Sequence, residues 1–229
     1  MTERSTKDRL LDAAQRLFAR DGVHGARIRD INELAGQRNP SALHYHFGSR
    51  EALLEAILAR YQRDVDINVA AALDRLETGG RELGIREIVE AAVRPEVRTL
   101  DTQEGRDCVR IIPPLLPVLS RNLRAGNIYP ITPGTRRILE LLDQRMAERS
   151  LPERVRRERL VTYAVVFTTM LGERANAIEE GGELLLTGDE FAVHLVDMLE
   201  ALLAAPSGLP GADRSRRRPA TAQTKRMEG

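Results

Sequence analysis

Tryptophan is absent from this 229-residue chain, and cysteine occurs once, as Cys108. A single thiol excludes an intrachain disulfide and a cysteine-based zinc site, and it suits a reducing cytoplasm. Aromatic residues make up 3% of the chain against 42% apolar residues. A core must therefore come from Leu, Val, Ile and Ala, which favours all-helical packing. No apolar run approaches the ~20 residues that cross a bilayer. The opening MTERSTKDR has no signal-peptide core, so the expectation is a soluble, cytoplasmic protein with no membrane partner. No nucleophile–base pair, metal-ligand cluster or Gly-rich phosphate loop occurs, and neither catalysis nor a metal or cofactor is expected. The formal net charge of +1 says little, because nucleic-acid binding depends on where the cations lie.

What is present is helical periodicity. From Lys7 to Arg20 the residues Leu10, Ala13, Ala14, Leu17 and Phe18 recur at helical spacing, and Gly22 closes the helix. A short helix from Arg27 to Leu34 carries Ile28, Ile31 and Leu34 on one face and ends at Gly36. Asn39 with Pro40 starts a third, to Phe47, because Asn accepts a backbone N–H and Pro at the first position sacrifices no donor. A helix below ~12 residues is marginal alone, so this one depends on its neighbours. It offers Ser41, His44 and Tyr45, groups that bond phosphates and base edges, flanked by the cations Arg38 and Arg50. His44 and His46 are two apart, point in different directions and do not make a metal pair. His46 has two readings, a phosphate contact or a satisfied structural role. Helix, short helix, Gly-containing turn, short helix is the helix-turn-helix plan.

The stretches LLDAAQRLFARDG, RDINELAG and YHFGSREALL, in that order between Lys7 and Leu58, resemble the TetR-type transcriptional regulators. The resemblance implies a homodimer whose two recognition helices enter successive major grooves of a roughly palindromic operator about 34–36 Å apart. It also implies a small-molecule effector in the helical body, with repression relieved by ligand as the usual mode. Two places depart from the family pattern. Ala26 and Arg27 stand where Thr or Ser pairs are usual, leaving Arg27 as a phosphate contact in place of a hydroxyl. The turn before the His-Phe pair is one residue longer than the commonest spacing, so Arg38, Asn39, Ser41 and His44 all stay candidates for reading bases.

Beyond the head, Ser49 is an N-cap opening a long helix with Leu53, Leu54, Ile57, Leu58 and Tyr61 on one face, a pattern that continues through Val65, Val69, Leu73 and Leu76. Continuous to Glu77, it is on the order of 40 Å long and would act as a lever between head and body. A helix from Ile85 to Leu100 is expected to break or kink near Pro95, and one from Gly105 runs into Ile112-Pro113-Pro114-Leu115-Leu116-Pro117, where the chain must bend. Apolar residues at that bend either line an effector cavity, with Cys108, Ile112, Leu116 and Tyr163 as its candidates, or form a buried structural kink. Cys108 has the further reading of a small core residue. Residues 126–134 read as a loop, and Thr132-Pro133 starts the next helix.

Capping boxes at Ser150/Glu153 and Thr187/Glu190 mark the last two helices. Their wide apolar arcs need burial on more than one side. A second copy would supply it through Leu160, Ala164, Phe167, Leu171, Phe191, Leu195, Met198 and Leu202, the alternative being burial within one chain. His194 reads as an interface histidine. The domain plan is a DNA-binding head at 1–52, a helical effector-binding and dimerisation domain at 53–205, and a disordered basic tail at 206–229, with Arg214 and Arg216 to Arg218 as its charge. The expected function is a ligand-responsive repressor on double-stranded DNA. The competing reading is a helical small-molecule-binding protein, or an activator, without repressor activity.

Overall fold

The computed structural model describes residues 5–39, 41–78, 80, 82–125 and 132–209. The expectations for Pro40, for the loop at 126–131 and for the tail at 210–229 lie outside these residues. Every regular element among the described residues is helical. Helix α1 is Thr6–Asp21, α2 Ile28–Leu34, α3 Ala42–Phe47 and α4 Arg50–Glu77; α5 is Ile85–Thr99, α6 Gln103–Ile111 and α7 Leu116–Arg124; α8 is Pro133–Glu148, α9 Glu153–Glu179 and α10 Gly188–Ala204.

The head is α1 to α3 packed on the start of α4. Leu10, Ala14, Leu17, Phe18, Ile31, Leu43 and Leu53 form its interior, all buried. Ser5 caps α1 through the Asp8 amide, and Gly22 closes it at φ 78°. Of the expected α2 face only Ile31 is buried; Ile28 and Leu34 remain 42% and 55% exposed. Two turns of helix present too narrow an arc to bury three side chains, and the buried Ala26 and Ala35 at either end supply the rest. Gly36 turns the chain at φ +67°, a conformation costly for a residue with a Cβ. Regular α3 starts at Ala42, later than the sequence suggests. The Asn39 side chain accepts the Ser41 N–H at 2.9 Å and its carbonyl the Ala42 N–H at 3.1 Å, so Asn39 shapes the turn ahead of the helix.

Ser49 caps α4 through the Ala52 N–H at 3.0 Å. The 28 residues of α4 make a rod of roughly 42 Å at ~1.5 Å per residue. Leu53, Ile57, Tyr61, Val65, Val69 and Leu73 form one buried stripe along it, and the core runs without a break from head to body. The expected boundary between residues 52 and 53 thus falls inside one helix.

In the body, α5 continues through Pro95 without interruption, against the expected break. The proline-rich stretch does bend, through one 3-10 turn at Pro113–Leu115 before α7. Thr132 caps α8 through the Thr135 N–H at 3.2 Å. The Gly134 N–H donates to Asp66 Oδ1 at 2.6 Å, and a Cβ there would lie 2.4 Å from the same oxygen, so a larger residue would require the Asp66 side chain to shift where α8 seats on α4. The Ser150/Glu153 box does not form: Pro152 stands at the N-cap of α9, and Ser150 takes φ 60° in the preceding turn. The Thr187/Glu190 box does form, with bonds of 3.3 and 2.8 Å.

The expected dimer residues need correction. Phe167, Leu171, Phe191 and Leu195 are buried within the single chain, because α9 packs on α6 and α10 on α5. Leu160, Ala164 and Leu202 are partly buried against the same core. Met198 alone of the eight is exposed, at 55%; His194 of α10 and Met170 of α9, the latter 37% exposed, are open to solvent as well.

Candidate nucleic-acid interface

Helix α3 buries Ala42 and Leu43 and turns His44 and Tyr45 outward, with Tyr45 84% exposed. An aromatic ring left so open buries little apolar area, while its hydroxyl remains free to meet a polar partner. Tyr45 stands edge-on to His46 at 5.1 Å between ring centroids, and His46 also contacts Phe47. Phe47 is half-buried, with the Lys7 ammonium 5.7 Å from its ring centre. Arg38, Asn39 and Ser41 are exposed along the turn entering α3, and Arg27 is exposed at the N-terminus of α2. Most of the residues expected from sequence are therefore exposed on the head.

Arg50 is the exception. Its guanidinium donates to the Val23 carbonyl and, at 2.6 Å, to the Ala26 carbonyl, and it lies 5.8 Å over the Phe18 ring. These bonds fasten the α1–α2 turn to α4. Arg50 is a structural cation of the head, not an outward contact, and the sequence does not reveal this because its partners are backbone carbonyls 24 and 27 residues away.

The head is tied to the body through Arg60. This side chain bonds Asp12 and Gln15 of α1, each at 2.7 Å, and the buried Gln15 donates in turn to the Glu104 carbonyl of α6 at 2.6 Å. The next residue, Tyr61, donates to Glu96 of α5. Beyond it lies a cavity of about 140 Å³ between α4, α5, α8 and α9, lined by Tyr61, Val65, Glu96, Ile112, Thr135, Tyr163, Phe167 and Thr168 among others. Ile112 and Tyr163 are where the sequence suggested. Cys108 and Leu116 are not among its walls. Cys108 is buried, and desolvation pushes its thiol up to about 12, so it stays protonated and behaves as a small core residue. Glu96 was missed by the sequence reading, although its spacing from Val89, Ala92 and Val93 puts an acid in the apolar phase of α5. Burial raises Glu96 to about 7, against the lowering effect of the Tyr61 bond.

Among the described residues no group of three or more His, Cys, Asp or Glu is arranged to hold a metal, and no helix is long and apolar enough to cross a membrane.

Residues 10–57 match the family model for bacterial regulatory proteins of the tetR family. Over 84 residues the chain is 36% identical to the HTH-type transcriptional repressor NicS of Pseudomonas putida, covering 37% of this chain and 38% of that protein. Over 111 residues it is 27% identical to the HTH-type transcriptional regulator UidR of Escherichia coli, covering 42% of this chain and 56% of that one. The matched region thus spans about four tenths to just over half of these relatives' lengths. The fold is shared more widely. A tetR family regulator from Shewanella sp. PV-4 superposes with a TM-score of 0.54 at 16% identity, over 87% of this chain and 96% of that one. A TetR-like regulator from Rhodococcus sp. RHA1 gives 0.52 at 17% identity, over 89% and 96%. Residues 10–57 thus carry the N-terminal domain of the bacterial tetR regulators, and the likeness to the two solved structures, at 16% and 17% identity, is one of fold.

Proposed function

We propose that the protein is a sequence-specific DNA-binding transcriptional repressor, cytoplasmic, acting as a homodimer on a roughly palindromic operator and released by a small molecule held in the cavity beside Tyr61. The observation that carries this reading is the outward set on and before α3, in which exposed Tyr45, His44, Ser41, Asn39 and Arg38 stand on a firmly buried base of Ala42 and Leu43. Tyr45, Ser41 and the arginines, Arg27 among them, would hold phosphates, while His44 and Asn39 have the short reach and polarity suited to base edges. His46 would support Tyr45 through their edge contact.

A dimer suits the reading, because a two-fold reader matches a two-fold operator. The outer side of α9 and α10, with Met170 and Met198 exposed, is the surface we assign to it. Release would follow from the position of Tyr61, one residue along α4 from the Arg60 clasp on the head. Only a ligand with unequal affinity for the two states shifts the equilibrium, and couplings of ~1–3 kcal/mol are typical.

The test is selection of full-length protein against a random duplex pool at near-physiological salt, with sequencing of the retained DNA. Enrichment of an inverted repeat is the expected result. Retention without an enriched motif would leave only charge-driven binding and overturn the assignment.

A further inference from the structure

The cavity beside Tyr61 is apolar over most of its wall, yet one ionisable acid opens into it. Among the described residues Glu96 is the sole charged side chain lining it; no Arg, Lys or His does so. An anionic ligand would meet a carboxylate and nothing to balance its own charge, which in a poorly solvated space is strongly unfavourable. The opposite charge meets the reverse situation. The carboxylate, costly to ionise alone among apolar neighbours, is stabilised when a cation occupies the space before it.

Two further observations bear on what fits. The Tyr163 hydroxyl, on a side chain 4% exposed, has no hydrogen-bond partner. A buried phenol oxygen left without a partner is an open position for a ligand N–H. The Tyr163 and Phe167 rings stand 5.8 Å apart, tilted by 37°, and add aromatic surface of the kind that attracts organic cations. The volume sets the size. About 140 Å³ is close to the ~150 Å³ of an engineered apolar cavity that takes up benzene.

We propose that this cavity is a site for a small organic cation, an amine carried on an apolar body of about one ring, with its N–H groups on the Glu96 carboxylate and the Tyr163 oxygen. The site rests on the effector reading given above and narrows it to a chemical class. The cation and Tyr61 share one carboxylate, so occupancy bears on the Tyr61 hydroxyl, which also meets Thr99 Oγ1 at 3.3 Å, one residue from the Arg60 clasp.

The test uses three probes of one size, benzylamine, benzyl alcohol and benzoate, titrated calorimetrically into the full chain at pH 8 without DNA. Benzylamine, protonated at that pH, is expected to bind at least tenfold tighter than benzyl alcohol, with benzoate weakest. Glu96→Gln, close in shape and uncharged, should bring benzylamine to the level of benzyl alcohol and leave benzyl alcohol within twofold. Equal binding of all three probes, no binding by any, tightest binding of benzoate, or an unchanged preference in Glu96→Gln overturns the proposal. The wild-type comparison decides even if the variant fails to fold. A parallel titration of the protein–duplex complex separates the two readings. Benzylamine binding with no change in duplex affinity upholds the cation site and overturns its role as effector site. Duplex release by benzyl alcohol but not by benzylamine overturns the cation and leaves the effector site standing.

Discussion

Tyr61 donates its hydroxyl to Glu96 across the wall between the long α4 rod and α5, and burial holds this carboxyl at about 7 against an ordinary value of 4.5. An acid raised in the folded state is ionised first in the unfolded chain. Its contribution to stability is therefore complete below pH 4.5 and is lost as pH rises toward 7. Since Glu96 keeps part of its surface open to the cavity, the loss is discounted to about 2 kcal/mol from the ~1.4 kcal/mol per pH unit of linkage. Urea midpoints measured from pH 4.5 to 8 should fall accordingly in the wild type. In Glu96→Gln that part of the slope should vanish; an identical slope in both would show that Glu96 does not titrate as described.

Arg50 and Arg38 should separate under mutation. Arg50→Ala leaves the Val23 and Ala26 carbonyls without their donor and should cost about 1.5–3 kcal/mol of head stability. Arg38 is exposed, so Arg38→Ala should leave the thermal midpoint within a degree or so. It should instead shallow the dependence of log K on log salt by roughly 0.9, one phosphate's share. Chemical denaturation beside a salt series of duplex titrations reads both. A shallower slope with intact stability in Arg50→Ala would return Arg50 to the DNA surface.

The Arg60 clasp predicts a mechanical phenotype. Arg60→Ala removes the bonds to Asp12 and Gln15 and should cost about 1–2 kcal/mol, since the pair is roughly two-thirds buried. Amide exchange should speed up in α1 near Asp12 more than in α10. Uniform acceleration over both helices would mean that Arg60 contributes to global stability and not to the head–body link.

The outer side of α9 and α10 can be tested against the inner one. Met170→Glu with Met198→Glu should give a monomer in sedimentation while retaining helical circular dichroism, because both side chains are exposed in the single chain. Phe167→Ala or Leu195→Ala should destabilise by ~2–5 kcal/mol, as core truncations do. An intact dimer in the double glutamate variant would move the interface elsewhere.

Most features of local chemistry are legible in the sequence, the Ser150/Glu153 box that does not form being an exception, whereas features that depend on distant partners are not. Ser49, Thr132 and the Thr187/Glu190 pair announce their helices because caps are local side chain-to-backbone bonds. The α4 stripe from Leu53 to Leu73 is legible because one periodicity holds across the whole rod. On α9 and α10 the apolar arc is too wide for periodicity to say which part faces the body, so Phe167, Leu171, Phe191 and Leu195 fit a partner or the chain's own core equally well from sequence, and α5 and α6 bury them. Arg50 looks like any surface cation until the fold brings two carbonyls to it. Glu96 leaves a signal in the sequence, an acid in the apolar phase of α5.

The most direct test of the account is an anisotropy titration of the selected inverted repeat by wild type and Tyr45→Ala over a salt series. The account predicts saturation at two chains per duplex, affinity falling steeply with salt, and at least tenfold weaker binding by Tyr45→Ala with an unchanged unfolding midpoint, since the side chain is 84% exposed. Equal affinity of the two proteins at every salt concentration would contradict it and remove α3 from the DNA surface.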